Sequence, residues 1–271
     1  MHRSTVDAFL KFTEPLEGRV AYMYLDIKEL ITTGVGNLID PVAAALDLPW
    51  KIEGRLATRD EIQRDWEALK ARRELAKRHH KFAAEVTRVR LEPADIDALV
   101  LGKLKANERF LKKAFPEWDQ FPADAQLGIC SMAWALGAGF SKTFKNFARA
   151  ANQHDWEAAK TACKIKSDDN PGIVPRNAEN ERCFANAAFV RSHALPLDAL
   201  HWPNVATVGG VIGVQKPPTD KITESTRGRV AGQQFDLAEN AGRDAVRDGL
   251  AELSGRASPA SAPKDPNLPR A

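Results

Sequence analysis

The stretch ADAQLGICSMAWAL, residues 123–136, carries apolar or small side chains nearly all round. A helix with no polar face has no side to show water, so this segment predicts the buried central helix of a bundle. Gly137 and Gly139 supply its stop. Enclosing one helix needs several amphipathic ones, and 271 residues with 44% apolar content are enough to build that core in one large domain or two small ones.

The enclosing helices are legible. Val6, Phe9, Leu10, Phe12 and Leu16 recur at mostly helical spacing over residues 5–16, which puts Glu17 at the end of that helix and Gly18 at its stop. Thr58-Arg59-Asp60-Glu61 is a capping-box sequence followed by Ile62, Trp66, Leu69 and Leu75, and predicts a long helix whose far end is RRELAKRHHK. Pro93-Ala94-Asp95 opens another, carrying Ile96, Leu99, Val100 and Leu104. Further helices are expected near 143–153, 155–165 and 176–190. From Tyr22 to Val35 the pattern changes to short segments rich in Tyr, Ile, Thr and Val around a turn at Asp26–Glu29, which predicts an antiparallel hairpin or meander. The expected fold class is α+β, mainly α, with a small N-terminal β lobe and a larger helical lobe.

Charge and cysteine content exclude more than they select. A formal charge of +3 suits contact with anionic polymers such as cell wall or nucleic acid. The basic residues concentrate in one segment without aromatic interleaving, which argues against a nucleic-acid role. Cys130, Cys163 and Cys183 are odd in number and widely spaced, so they are expected as small core residues. His79 and His80 are adjacent and would not share a helix face, so no metal and no cofactor are expected. The N-terminus lacks the apolar stretch of a signal peptide, and no run approaches the ~18 apolar residues of a membrane helix. The expectation is a chain made in the cytoplasm without stable membrane insertion. Past residue 203 the composition turns rich in Gly, Pro, Ala and Ser, so residues 204–271 are expected to form a linker-like tail with one weak amphipathic helix at about 235–253.

Chemistry is concentrated in EGRVAYMYLDIKELITTGVGN, residues 17–37, where an acid is followed nine positions later by a second acid and six beyond that by a threonine. Taken singly, Glu17 could end a surface helix, Asp26 open a turn and Thr32 belong to an ordinary strand. Taken together they match what cleavage of a glycosidic bond requires. One carboxylic acid protonates the leaving oxygen, and a second carboxylate stabilises positive charge or activates water. A hydroxyl nearby can hold that water.

Glu17, Asp26 and Thr32, with Tyr24 two before the aspartate and Gly34-x-Gly36 after the threonine, resemble the phage-type lysozyme family of endolysins and muramidases. Gly54–Glu61 is similar to the family's opening of the helix that leaves the small lobe, Asp155-Trp156-Glu157-Ala158-Ala159 to one of its later helix starts, and Arg176-Asn177-Ala178-Glu179 to its Arg-x-Ala-Glu motif before the last helix. The resemblance covers about residues 5–192, with extra length at about 40–53 and 72–90. It departs from the family at Asn37, where a histidine is common.

The resemblance implies a lysozyme-like catalytic domain over 1–203 with a cleft between the two lobes. It implies hydrolysis of the β-1,4 bond between N-acetylmuramic acid and N-acetylglucosamine. Glu17 would be the general acid, Asp26 with Thr32 would position and activate water, and Tyr24, Gly36, Asn37 and Arg176 would line the substrate side. Peptidoglycan glycan strands are the implied partner, met in the periplasm or cell wall after release as a phage endolysin or injection as an interbacterial effector. The effector setting brings with it a cognate immunity protein or a secretion-spike protein. Two alternatives stand beside this reading, a lytic transglycosylase and a non-catalytic wall-binding structural protein.

Overall fold

The computed structural model describes residues 1–168 and 170–207. The chain opens with helix α1 (Arg3–Glu17), then runs through strands β1 (Val20–Leu25), β2 (Ile31–Gly34) and β3 (Asn37–Leu38). A short helix α2 (Val42–Leu46) and a two-stranded hairpin of β4 (Lys51–Ile52) and β5 (Arg55–Leu56) lead into α3 (Arg59–Lys70). The remaining helices are α4 (Pro93–Ala114), α5 (Ala123–Leu136), α6 (Lys145–Asn152), α7 (Trp156–Ala162) and α8 (Ile173–Ser192). The described chain is mainly helical with a small antiparallel sheet of order β1-β2-β3, as the α+β reading expects.

All residues of α5 are buried. Its most extensive packing is against α8, and Gly128 marks how close the two come. A Cβ added there would sit 2.8 Å from Cζ of Phe184 and 3.1 Å from Cβ of Cys183. Phe184 cannot yield easily, because its ring is edge-on to Phe147 and stacked on Trp156. Gly128→Ala should therefore lower the thermal midpoint: overpacking costs about 1–3 kcal/mol, more than the ~1 kcal/mol by which a helix prefers alanine over glycine. An unchanged or higher midpoint in a calorimetric scan would show that the two helices can separate there. The three cysteines are buried and unbridged.

The capping box at Thr58 forms, with Thr58 Oγ1 accepting from the Glu61 amide and the Glu61 carboxylate accepting from the Thr58 amide. The long helix expected beyond it does not. α3 stops at Lys70, and the chain continues as two 3₁₀ segments, Arg73–Lys77 and His80–Glu85. The reason is in the apolar stripe: one turn after Leu69 a continued helix would present Arg72 and Arg73 to the core. By turning, the chain instead buries Leu75 and Ala83, and both 3₁₀ segments pack along β1. The two stretches of extra length are also tied together, since Lys51 and Arg90 exchange backbone hydrogen bonds of 2.8 Å.

The last helix begins at Ile173, so Arg176 lies inside its first turn rather than before it. Packing continues past residue 203. Asn186 donates to the Asn204 carbonyl and accepts from the Ala206 amide, and Ala206 is buried. The expected tail, including the helix at about 235–253, lies outside the described residues. Among the described residues no helix is long and apolar enough to cross a membrane, and no group of three or more His, Cys, Asp or Glu is placed to hold a metal ion.

Candidate active site

The site lies where the small sheet meets the helical lobe. Glu17 is the last residue of α1, which ends at Gly18 as its amide returns to the Glu14 carbonyl. The chain reverses within two residues into β1, and the register sets Tyr24 directly opposite Thr32 on β2. Asp26 follows two residues after Tyr24, and alternation along a strand places the two on one side. Just past the strand, Asp26 is fixed by its own turn: its Oδ1 accepts from the amides of Lys28 at 2.8 Å and Leu30 at 2.9 Å. This Asx-type closure is why an aspartate starts the turn. The next turn, between β2 and β3, needs Gly34 and Gly36 because both adopt left-handed backbone, with φ of 63° and 70°.

Glu17, Asp26 and Thr32 are 6%, 6% and 3% exposed. The Glu17 carboxylate accepts from Nη2 of Arg176, which is wholly buried. The other arm of that guanidinium donates to the carbonyl and hydroxyl of Ser131 on α5, at 3.1 and 3.0 Å. The first turn of α8 is thereby bolted to the end of α1 through the central helix. Burial pushes the Glu17 carboxyl above its ordinary value, with Arg176 and Lys103 pulling the other way. Asp26 is raised by burial to about 6, against the lowering effect of the Leu30 and Lys28 amides and of Lys28 and Lys70. Both carboxyls thus hold protons more firmly than free side chains do, and for the same physical reason, removal from water.

Tyr24 is buried, and its hydroxyl has no hydrogen-bond partner among the described residues. Burial and the nearby charges of Glu17 and Asp26 raise its proton affinity, so it stays a neutral phenol close to both acids. Asn37 accepts the Val35 amide on its Oδ1 at 3.1 Å and leaves Nδ2 buried without a partner among the described residues. Above the sheet, the 3₁₀ segment beginning at His80 covers β1, where the His80 ring lies against Tyr22 and Tyr24 and Tyr22 Oη is 2.8 Å from His80 Nδ1.

The chain matches no protein-family model, no curated protein and no solved structure.

Of the candidate site residues, Tyr24 lies opposite Thr32 and near Glu17 and Asp26, and Gly36 and Asn37 belong to the glycine turn and the strand after it. Arg176, distant in sequence, meets Glu17 directly. Two participants were missed. Lys103 reaches the Gly36 carbonyl at 3.0 Å from α4 and interacts with Glu17. Ser131 anchors Arg176. Signals for both were present: Lys103 falls on the stripe of Ile96, Leu99 and Val100, and Ser131 is a hydroxyl inside a helix with no polar face, where it must find a partner.

Proposed function

We propose that this chain is a peptidoglycan-cleaving glycoside hydrolase, a muramidase of the phage-type lysozyme kind, with a lysozyme-like cleft between its sheet and its helical lobe. The observation that carries the reading is Glu17: a carboxyl at a helix terminus, taken out of water, raised in proton affinity and held by a buried arginine. Such a group suits donation of a proton to the leaving glycosidic oxygen.

Asp26 occupies the facing hairpin in a different state. Its Oδ1 is engaged by two amides, and its Oδ2 takes no hydrogen bond among the described residues. In this reading Oδ2 orients and activates a water molecule, with the Thr32 hydroxyl as the second holder; that hydroxyl makes only a long contact of 3.5 Å to the Leu30 carbonyl. Tyr24 and Asn37 lie on the substrate side in the same reading, and because Tyr24 Oη and Asn37 Nδ2 are buried, contact with sugar hydroxyl or acetamido groups requires the two lobes to part. In this reading one carboxyl is kept as acid and the other used as base, the division of roles that single-displacement glycoside hydrolysis needs.

Purified peptidoglycan sacculi provide the test. The wild-type protein should clear them and release new reducing ends whose anomeric configuration, read by proton NMR, is inverted. Asp26 must be ionised to act, so activity should fall as pH drops through about 6, where that group takes up its proton. Anhydro-muramoyl ends would instead make the protein a lytic transglycosylase. Sedimentation with the wall and no clearing would reduce it to a binding module.

A further inference from the structure

Lys103 is a lysine in a place where a helix buries leucines. Its ammonium turns inward, 3.0 Å from the Gly36 carbonyl and 4.1 Å above the centre of the Trp134 ring. Trp134 in turn donates from Nε1 to the Val35 carbonyl at 3.1 Å. Two stacked side chains from α4 and α5 therefore grip consecutive carbonyls of the one turn that closes the small sheet beside Glu17. Among the described residues, the charged and titratable groups that face this point are Glu17 from α1 and Arg176 from α8, with Tyr24 from β1 next to Glu17. Glu17 thus meets two cations of different kinds. Arg176 is permanently charged, whereas burial draws Lys103 down to about 8, Glu17 opposing and Arg176 reinforcing that change.

Resting on the reading of Glu17 as a glycosidase acid, we propose that Lys103 is a positioning residue for that reaction: it holds the Gly34–Gly36 turn against the helical lobe and brings a positive charge to the Glu17 side of that turn. A neighbouring cation favours the ionised carboxylate and so weakens the acid's hold on its proton. Without that cation, Glu17 keeps its proton to higher pH, and the alkaline limb of the activity profile, set by loss of that proton, moves upward.

The test follows the Glu17 carboxyl by ¹³C NMR in the full chain labelled at glutamate, with Glu17→Gln assigning the signal, alongside the pH profile of wall hydrolysis. Lys103→Met removes charge and donor, Lys103→Gln removes the charge and keeps a donor for the Gly36 carbonyl, and Lys103→Arg keeps both. In the Met and Gln variants the Glu17 midpoint should rise by roughly one pH unit, the lower end of what an adjacent charge does, and the alkaline limb should follow. KM should rise in Lys103→Met and stay near wild type in Lys103→Gln, and Lys103→Arg should restore the wild-type profile. An unmoved Glu17 midpoint in folded Met and Gln variants overturns the proposal. Unfolding of both neutral variants overturns it as well, because Lys103 would then be a structural group only. The NMR titration needs no turnover, so a wild-type protein that fails to clear wall would defeat the glycosidase reading while the coupling of Lys103 to Glu17 is still read.

Discussion

Glu17→Gln should leave a folded protein that no longer hydrolyses peptidoglycan. The amide has nearly the volume of the acid, and its oxygen can still accept from Arg176 Nη2, so the junction of α1 and α8 keeps a hydrogen bond. What it lacks is a proton to give. General acid catalysis of this type contributes about 10²–10⁴-fold, so the expected loss in kcat is at least a hundredfold with little change in binding. Wall turbidity and reducing-end release measure it, and a retained cooperative thermal transition provides the control. Retention of more than about a tenth of wild-type activity, far above what loss of a general acid permits, would remove Glu17 from the acid's role.

Arg176→Met should be the most damaging single change to stability. Among the described residues it deletes the only side chain that engages the Glu17 carboxylate and both Ser131 oxygens at once. Breaking one partner of a buried ion pair typically costs about 3–5 kcal/mol because the other charge is left uncompensated. For a fold of this size each kcal/mol moves the thermal midpoint by about 2–4 °C, so a fall on the order of 10 °C is expected at neutral pH. The sign of the pH dependence is a second check. Glu17 is already raised by burial, and losing Arg176 raises it further, so the folded state binds a proton that the unfolded chain releases near its ordinary value. Measured against the wild type, the damage should therefore be smallest below the folded-state value of wild-type Glu17 and grow as pH climbs from there towards the variant's higher one. Adding Glu17→Gln should recover part of the loss at neutral pH, as expected for residues in contact. A single mutant within about 1 kcal/mol of wild type by denaturant unfolding, well under the cost of orphaning a buried charge, would show that the pair is not energetically coupled.

The sequence by itself determined the elements whose signal is local. The uniform apolarity of residues 123–136 requires enclosure whatever surrounds it, and the capping box at Thr58 and the proline at the start of α4 act within one helical turn. The meander is local too, because Asp26 closes its own turn and Gly34 and Gly36 supply the backbone angles of the next. Glu17, Asp26, Tyr24 and Thr32 were therefore legible as a group: they sit within one helix end and one hairpin, and short-range geometry brings them together.

Tertiary structure decided what burial and distant contacts control. Continuation of α3 past Lys70 was a matter of competition, and the pull of Leu75 and Ala83 onto β1 outweighed the helical preference of a charged segment that had no apolar stripe left to bury. The electrostatic state of the site was decided the same way. A carboxyl's proton affinity depends on the water it loses and the charges it meets, and Glu17 comes near Arg176 and Lys103 only because α4 and α8 both pack against α5. No local pattern encodes that meeting, since 86 residues separate Glu17 from Lys103 and 159 separate it from Arg176.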